Sequence, residues 1–275
     1  MNKNTQAFSW GAGIGTLGGL IGLGGAEFRL PVLAGVFRFR MLDAIVINLM
    51  ISLVTVVFSL IFRVGLGGLE TLSPYWYVVL NLLAGSLLGS WIGVHYATRV
   101  EERVLVGVVV AMLVFLSVVL MSHQWLFQAG GIGLPLPVTM VLGFAAGLLI
   151  GVFSSLLGVA GGELLIPTIL LLYGLDIKVA GSLSLAISIP TILMGLSRYR
   201  AKRCLEEVRS HRSFIGAMAL GSVLGALVGA LLLPYVPGTA LHLLLGIILL
   251  ISAWKLAQKA RPSKPSEPPE GTTHG

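Results

Sequence analysis

Charge is what this chain lacks most: only 11% of its 275 residues are Asp, Glu, Lys or Arg. Soluble domains carry about 25%, so there are too few charges to cover a water-facing surface. Cysteine is nearly absent too. A single Cys204 excludes an intramolecular disulfide framework and a Cys-rich metal site, and its basic loop context marks it as an inert, reduced thiol. The five histidines show no metal-ligand spacing, and neither Gly-x-Ser-x-Gly nor His-Glu-x-x-His occurs. Enzymatic chemistry lacks its usual residues, and neither a cofactor nor a metal is expected. Gly13-x-Gly15-x-x-Gly18 matches a dinucleotide fingerprint by letter only, because no strand precedes it. Basic residues outnumber acidic ones 18 to 11, but none of their runs is interleaved with aromatics as in single-strand binders. Nucleic acid is not an expected partner.

Apolar sequence is abundant. Met41 to Phe62, Tyr75 to Ala97, Val104 to Met121 and Thr239 to Ala257 are near or above the roughly 20 residues that cross a bilayer as helix. The lipid bilayer is therefore an expected partner, and the fold class is an all-α polytopic membrane protein. Trp76, Trp91, Trp125 and Trp254 lie towards segment ends, as interfacial anchors do. Phe8 to Leu23 resembles a signal peptide, but its counterpart Phe144 to Leu157 lies in mid-chain, so it reads as structure.

The chain repeats itself. Gly22-Leu-Gly24-Gly25-Ala26-Glu27-Phe-Arg29-Leu-Pro31 returns 136 residues later as Gly158-Val-Ala-Gly161-Gly162-Glu163-Leu-Leu165-Ile-Pro167. The same offset pairs Asn48, Ser52 and Thr55 with Ser184, Ser188 and Thr191, and Gly85-Ser86, Gly89 and Gly93 with Gly221-Ser222, Gly225 and Gly229. The units are residues 8–122 and 138–258, joined by a linker at 123–137, with a disordered polar tail from 259 to 275. In each, a Gly-rich stretch runs through the Gly-Gly-x-Glu motif into a short helix, and three longer segments follow. Phe8 to Leu23, 16 residues, would span about 24 Å as helix.

Two topologies compete. A continuous crossing at the motif gives four crossings per unit and parallel repeats; a re-entrant pair of half-helices gives three crossings and inverted repeats. The Arg198 to Arg212 loop holds six Lys/Arg against two Glu. Only the inverted plan places it on one side with Lys3, Arg38, Arg40, Arg99, Arg103 and the Lys255 to Lys264 tail. By the positive-inside rule that side is the cytoplasm, with both termini there. Inverted repeats with broken helices are a recurring secondary-transporter plan.

A helix broken at glycine within a membrane must be buried in protein or line a watery cavity. Half-helices starting at Ala26 and Gly162 would aim free N–H groups and positive dipole ends at such a cavity, while Gly24, Gly25 and Gly161 let an anion approach the backbone. Glu27 and Glu163 are carboxylates in apolar surroundings. Each either accepts a proton and couples it to transport or caps its own half-helix. Arg29 has Leu165 as its counterpart and is expected to snorkel to the surface rather than pair with a carboxylate or an anion. Asn48, Ser52 and Thr55 share one helix face, as do Ser184, Ser188 and Thr191. These stripes would offer neutral donors to a small anionic substrate, or else pack helices. Pro190 predicts a kink. The Gly ladders read as close helix contacts and leave room for a homodimer.

At the two Gly-Gly-x-Glu motifs, and onward through Tyr173 to Thr191, the sequence resembles the sulfite exporter TauE/SafE family. The resemblance covers about residues 8 to 257; the first copy departs from the family pattern at Ala26 and adds Arg29. It implies a permease in the bacterial inner membrane for small anions such as sulfite, sulfonates or thiosulfate. A potential of about 100 mV, negative inside, is worth roughly 2.3 kcal/mol per charge, enough to drive a monoanion outward about fifty-fold. Export is thus expected, with an anion channel or a non-transporting accessory protein on the same scaffold as the competing readings.

Overall fold

A computed structural model describes residues 2–67, 72–96, 133–157, 161–200 and 211–260, with isolated positions at 107, 110, 111, 113–115, 117, 118, 121 and 209. Arg99, Arg103, Trp125, Cys204, positions 158–160 of the second motif, most of the basic loop and linker, and the tail beyond 260 lie outside the described residues. The regular elements among these residues are all helical. We number them α1 (Lys3–Ile21), α2 (Ala26–Pro31), α3 (Met41–Gly67), α4 (Trp76–Tyr96), α5 (Leu136–Leu157), α6 (Gly162–Tyr173), α7 (Ile177–Arg200), α8 (Arg212–Leu232) and α9 (Gly238–Ala260). Five apolar spans within α3, α4 (with the turn before it), α5, α7 and α8 are long enough to cross a membrane, and α6 and part of α9 form shorter apolar helices. Trp76, Trp91 and Trp254 are exposed, which suits interfacial anchors.

The breaks follow from glycine. Gly22 leaves α1 at φ 99°, Gly24 and Gly25 follow at φ 74° and 73°, and Gly161 repeats the 73° value before α6. Side chains with a Cβ rarely adopt these angles. After the first break, Pro31 lacks the N–H that a regular ladder needs, and Val32–Val36 continues as a π-turn.

Each broken pair enters and leaves at one end of the molecule. At the start of α1, Asn4 Nδ2 donates to Ser213 Oγ at 2.7 Å and Lys3 Nζ lies 5.8 Å from the Phe39 ring centre. Phe39, just past the π-turn, packs on His211 and Phe214 at the head of α8. At the start of α5, Asn81 Nδ2 donates to the Met140 carbonyl (2.9 Å) and to Tyr173 Oη at the end of α6 (2.7 Å). The two arrangements correspond under the 136-residue repeat.

The glycine ladders set the helix directions. Gly11, Gly15 and Gly19 of α1 meet Met218, Ser222 and Ala226 of α8 in rising order, so these helices run parallel. Gly147 and Gly151 of α5 likewise meet Leu82 and Ser86 of α4. The opening helix of each repeat therefore packs on a helix of the other. The counterpart helices α3 and α7 run antiparallel, with Leu49 beside Gly195 and Arg63 bonded to the Lys178 carbonyl.

A methyl on Gly147 would sit 2.5 Å from the Leu82 carbonyl oxygen, whereas one on Gly13 would meet nothing within 4 Å. Gly147→Ala should therefore destabilise the protein by roughly 1–3 kcal/mol through overpacking. Gly13→Ala should be neutral or gain up to about 1 kcal/mol of helix propensity. Thermal unfolding in detergent compares the two, and equal midpoints would contradict the packing account.

Candidate functional site

The first break is lined by α3, α7 and α8. Leu23 abuts Gly162 at the head of α6, and Gly22 abuts Gly181 of α7, so the two half-helix starts lie close to the same centre. Carbonyls at the break and at the first residue of α2 find side-chain donors. Ser184 Oγ donates to the Gly22 carbonyl (2.7 Å), Arg29 Nη2 to that of Gly24 (3.5 Å), and Asn48 Nδ2 to that of Ala26 (3.0 Å). Thus Gly24, Ala26, Asn48 and Ser184, selected from sequence, do assemble here.

Arg29 is the centre of this group, and it corrects the sequence expectation. It does not snorkel: the side chain is 0% exposed. It leaves α2 only a few residues after the break, where α3 and α8 enclose it, and surface water is out of its reach. Its Nη1 donates to Ser52 Oγ (2.8 Å), and Nη2 to Thr55 Oγ1 (3.3 Å) and Ser222 Oγ (3.2 Å). None of these partners is a carboxylate. Nε has no partner, and the Asn48 Oδ1 atom and both Glu27 oxygens are buried without one. Glu27 acts on Arg29 through its charge but makes no hydrogen bond to it.

The polar stripe of α3 therefore serves the guanidinium before any ligand. Thr55 also donates its own proton to the Ile51 carbonyl. In the second half Leu165 replaces Arg29, and the corresponding hydroxyls close on each other, with Thr191 Oγ1 and Ser86 Oγ 3.1 Å apart. Ser188 is buried on the same helix. Glu163, predicted as the twin of Glu27, differs from it: Oε1 accepts a hydrogen bond from Ser252 of α9 at 3.0 Å. Gly25 and Gly161 serve as left-handed residues immediately before the half-helices. A regular α2 of six residues gives only a short aligned run of peptide dipoles, so the formal positive charge at this break comes from Arg29.

Sequence reasoning missed Arg63. It is 6% exposed, and its Nε and Nη2 donate to the last carbonyls of α1, Gly19 (3.0 Å) and Leu20 (2.8 Å). Nη1 donates to the Lys178 carbonyl (3.2 Å) and Ser182 Oγ (3.0 Å) of α7. The available signal was an arginine directly following the apolar run that ends at Phe62. Ser86 and Ser222 were visible as repeated residues but went unassigned. Among the described residues no cluster of His, Cys, Asp and Glu could hold a metal.

Two broken-helix pairs, wrapped by long apolar helices around a buried polar centre, define a polytopic membrane protein of the transporter class. The family model for sulfite exporter TauE/SafE matches residues 2–121 and 142–274, and the chain belongs to that family. It is accordingly a multi-pass membrane permease of the sulfite-exporter type, with a bilayer and a small molecule as its partners. No curated protein and no solved structure shows significant similarity to it.

Proposed function

We propose that this permease exports a small anion, a sulfur oxyanion or organosulfonate such as sulfite, through a central site beside Gly24–Glu27. The carrying observation is Arg29, a fully buried guanidinium whose partners are hydroxyls and a carbonyl. Burying a cation with no anion hydrogen-bonded to it is costly, and a transported anion would supply that direct partner. Gly24, Gly25, Ala26, Asn48, Ser52 and Thr55 form the first half of the site in this reading. Gly161, Gly162, Glu163, Ser184, Ser188 and Thr191 form a neutral second half.

The two units would insert in opposite orientation, with both termini and the basic loops in the cytoplasm of a bacterial inner membrane. The antiparallel counterpart helices α3 and α7 support that plan, as does the grouping of Lys3, Phe39 and His211 at one end. Pairs of the chain would form homodimers through exposed apolar faces.

Proteoliposomes loaded with labelled sulfite provide the test. Saturable efflux with counterflow supports a carrier; efflux linear in concentration would instead identify a channel, and absence of flux would remove sulfite as cargo. Proton coupling rests on Glu27, whose oxygens lack a partner, more than on Glu163, which has Ser252. An imposed pH gradient should change the rate of the parent protein, and Glu27→Gln should abolish that response. Full pH sensitivity in both Glu27→Gln and Glu163→Gln would rule out proton coupling through these carboxylates.

A further inference from the structure

The unpartnered atoms around Arg29 are unequal in kind. Arg29 Nε is a donor, Ser59 Oγ one turn past Thr55 on α3 can donate or accept, and three are acceptors only, the two Glu27 oxygens and Asn48 Oδ1. Buried polar atoms in folded proteins are nearly always paired, and an unpaired one left facing a ligand penalises any ligand that cannot complement it. Asn48 cannot relieve its own mismatch by flipping. Its Nδ2 is held by the Ala26 carbonyl at 3.0 Å, and rotation would set two oxygens against each other. The second half shows no such excess at the matching positions: Ser184 donates to Gly22, Glu163 accepts from Ser252, and Leu165 has no polar atom.

A bare oxyanion would satisfy Nε and then turn further acceptors towards three acceptors. A dianion would face one arginine with a carboxylate nearby. A molecule with an anionic head and its own donor fits both poles. Asn48 lies one turn before Ser52, the hydroxyl that receives Arg29, so the poles are about 6 Å apart along α3. A two-carbon chain with a head at each end can bridge that spacing.

We propose that Glu27 and Asn48 form a second pole that reads a hydrogen-bond donor on the substrate, making the preferred cargo a small molecule with one anionic head and a hydroxyl or ammonium group. This inference rests on the reading of the break as the anion site. Sites built to bond a substrate O–H or N–H discriminate strongly against analogues without it.

The test uses three sulfonates with one skeleton: ethanesulfonate, 2-hydroxyethanesulfonate and 2-aminoethanesulfonate. Each is titrated calorimetrically into the purified full chain at one pH. The hydroxy and amino compounds should bind at least tenfold more tightly than ethanesulfonate. Glu27→Gln should reduce the amino preference more than the hydroxy preference, because only the former loses a charge partner. Asn48→Ser, the residue type at position 184, keeps a polar group and should reduce both preferences to less than threefold. Equal binding of all three overturns this inference alone, as does a preference that survives in both variants. Binding of none, by protein that unfolds cooperatively, overturns the anion-site reading and this inference with it.

Discussion

Arg29→Leu should weaken anion binding more than thirtyfold while leaving the thermal midpoint within about 4 °C of the parent. Truncating one partner of a buried charge pair costs about 2–5 kcal/mol of binding, which sets the first figure. The second comes from the other half of the molecule. There leucine already stands at position 165, and Thr191 and Ser86 lie at hydrogen-bonding distance. Thr55 and Ser222 occupy the corresponding places and can close in the same way once the guanidinium is gone. No carboxylate is hydrogen-bonded to Arg29, so leucine breaks no bonded ion pair and removes the desolvation penalty of the buried cation. With a shift of about 2–4 °C per kcal/mol at this size, a gain or loss near 1 kcal/mol stays inside the stated window. The measurements are a midpoint in detergent and efflux from vesicles. An Arg29→Leu protein that transports at the parent rate would remove Arg29 from the site; one that fails to fold would make it a structural residue.

The contrast between Arg29 and its sequence reading shows what a linear pattern can carry. The repeat was legible because Glu, Pro, Ser and Thr recur at one offset inside apolar sequence, where composition alone would scatter them. The broken helices followed from glycines at two corresponding places, and the structure puts left-handed residues there. Ends were less legible. α1 begins at Lys3 instead of Phe8, since Asn4 at the polar start finds Ser213 of a distant helix. α3 continues past Phe62 to Gly67, since the charge of Arg63 is absorbed by carbonyls of α1 and α7. The environment of Arg29 was not legible at all. One of its partners, Ser222, lies 193 residues away, and no local pattern distinguishes a snorkelling arginine from one enclosed by α3 and α8. The distinction between Glu27 and Glu163 also needed the fold, because Ser252 reaches Glu163 from α9 while the matching position in the first repeat is Leu116.

Arg63→Met should be the most destabilising single substitution of the two buried arginines, costing about 3–5 kcal/mol and lowering the midpoint by roughly 6–20 °C. The residue has the same charge as Arg29 and nearly the same burial, so the difference lies in its partners. Those of Arg29 are mainly hydroxyls, which rotate and bond one another. Those of Arg63 include the Gly19 and Leu20 carbonyls at the end of α1, which have no intrahelical donor left. Removing the guanidinium strands both, at roughly 1–3 kcal/mol each, and also removes a cation from a helix C-terminus, where it is favourable. The Lys178 carbonyl suffers least, because Ser182 Oγ also donates to it at 3.0 Å. Arg63→Lys should recover only part of the loss: an ammonium keeps the charge but lacks the planar fork that reaches α1 and α7 together. Thermal unfolding of the parent and both variants decides the matter. A midpoint for Arg63→Met within about 2 °C of the parent would mean that water or a shifted helix end satisfies the α1 carbonyls. The clasp between α1, α3 and α7 would then be incidental to stability.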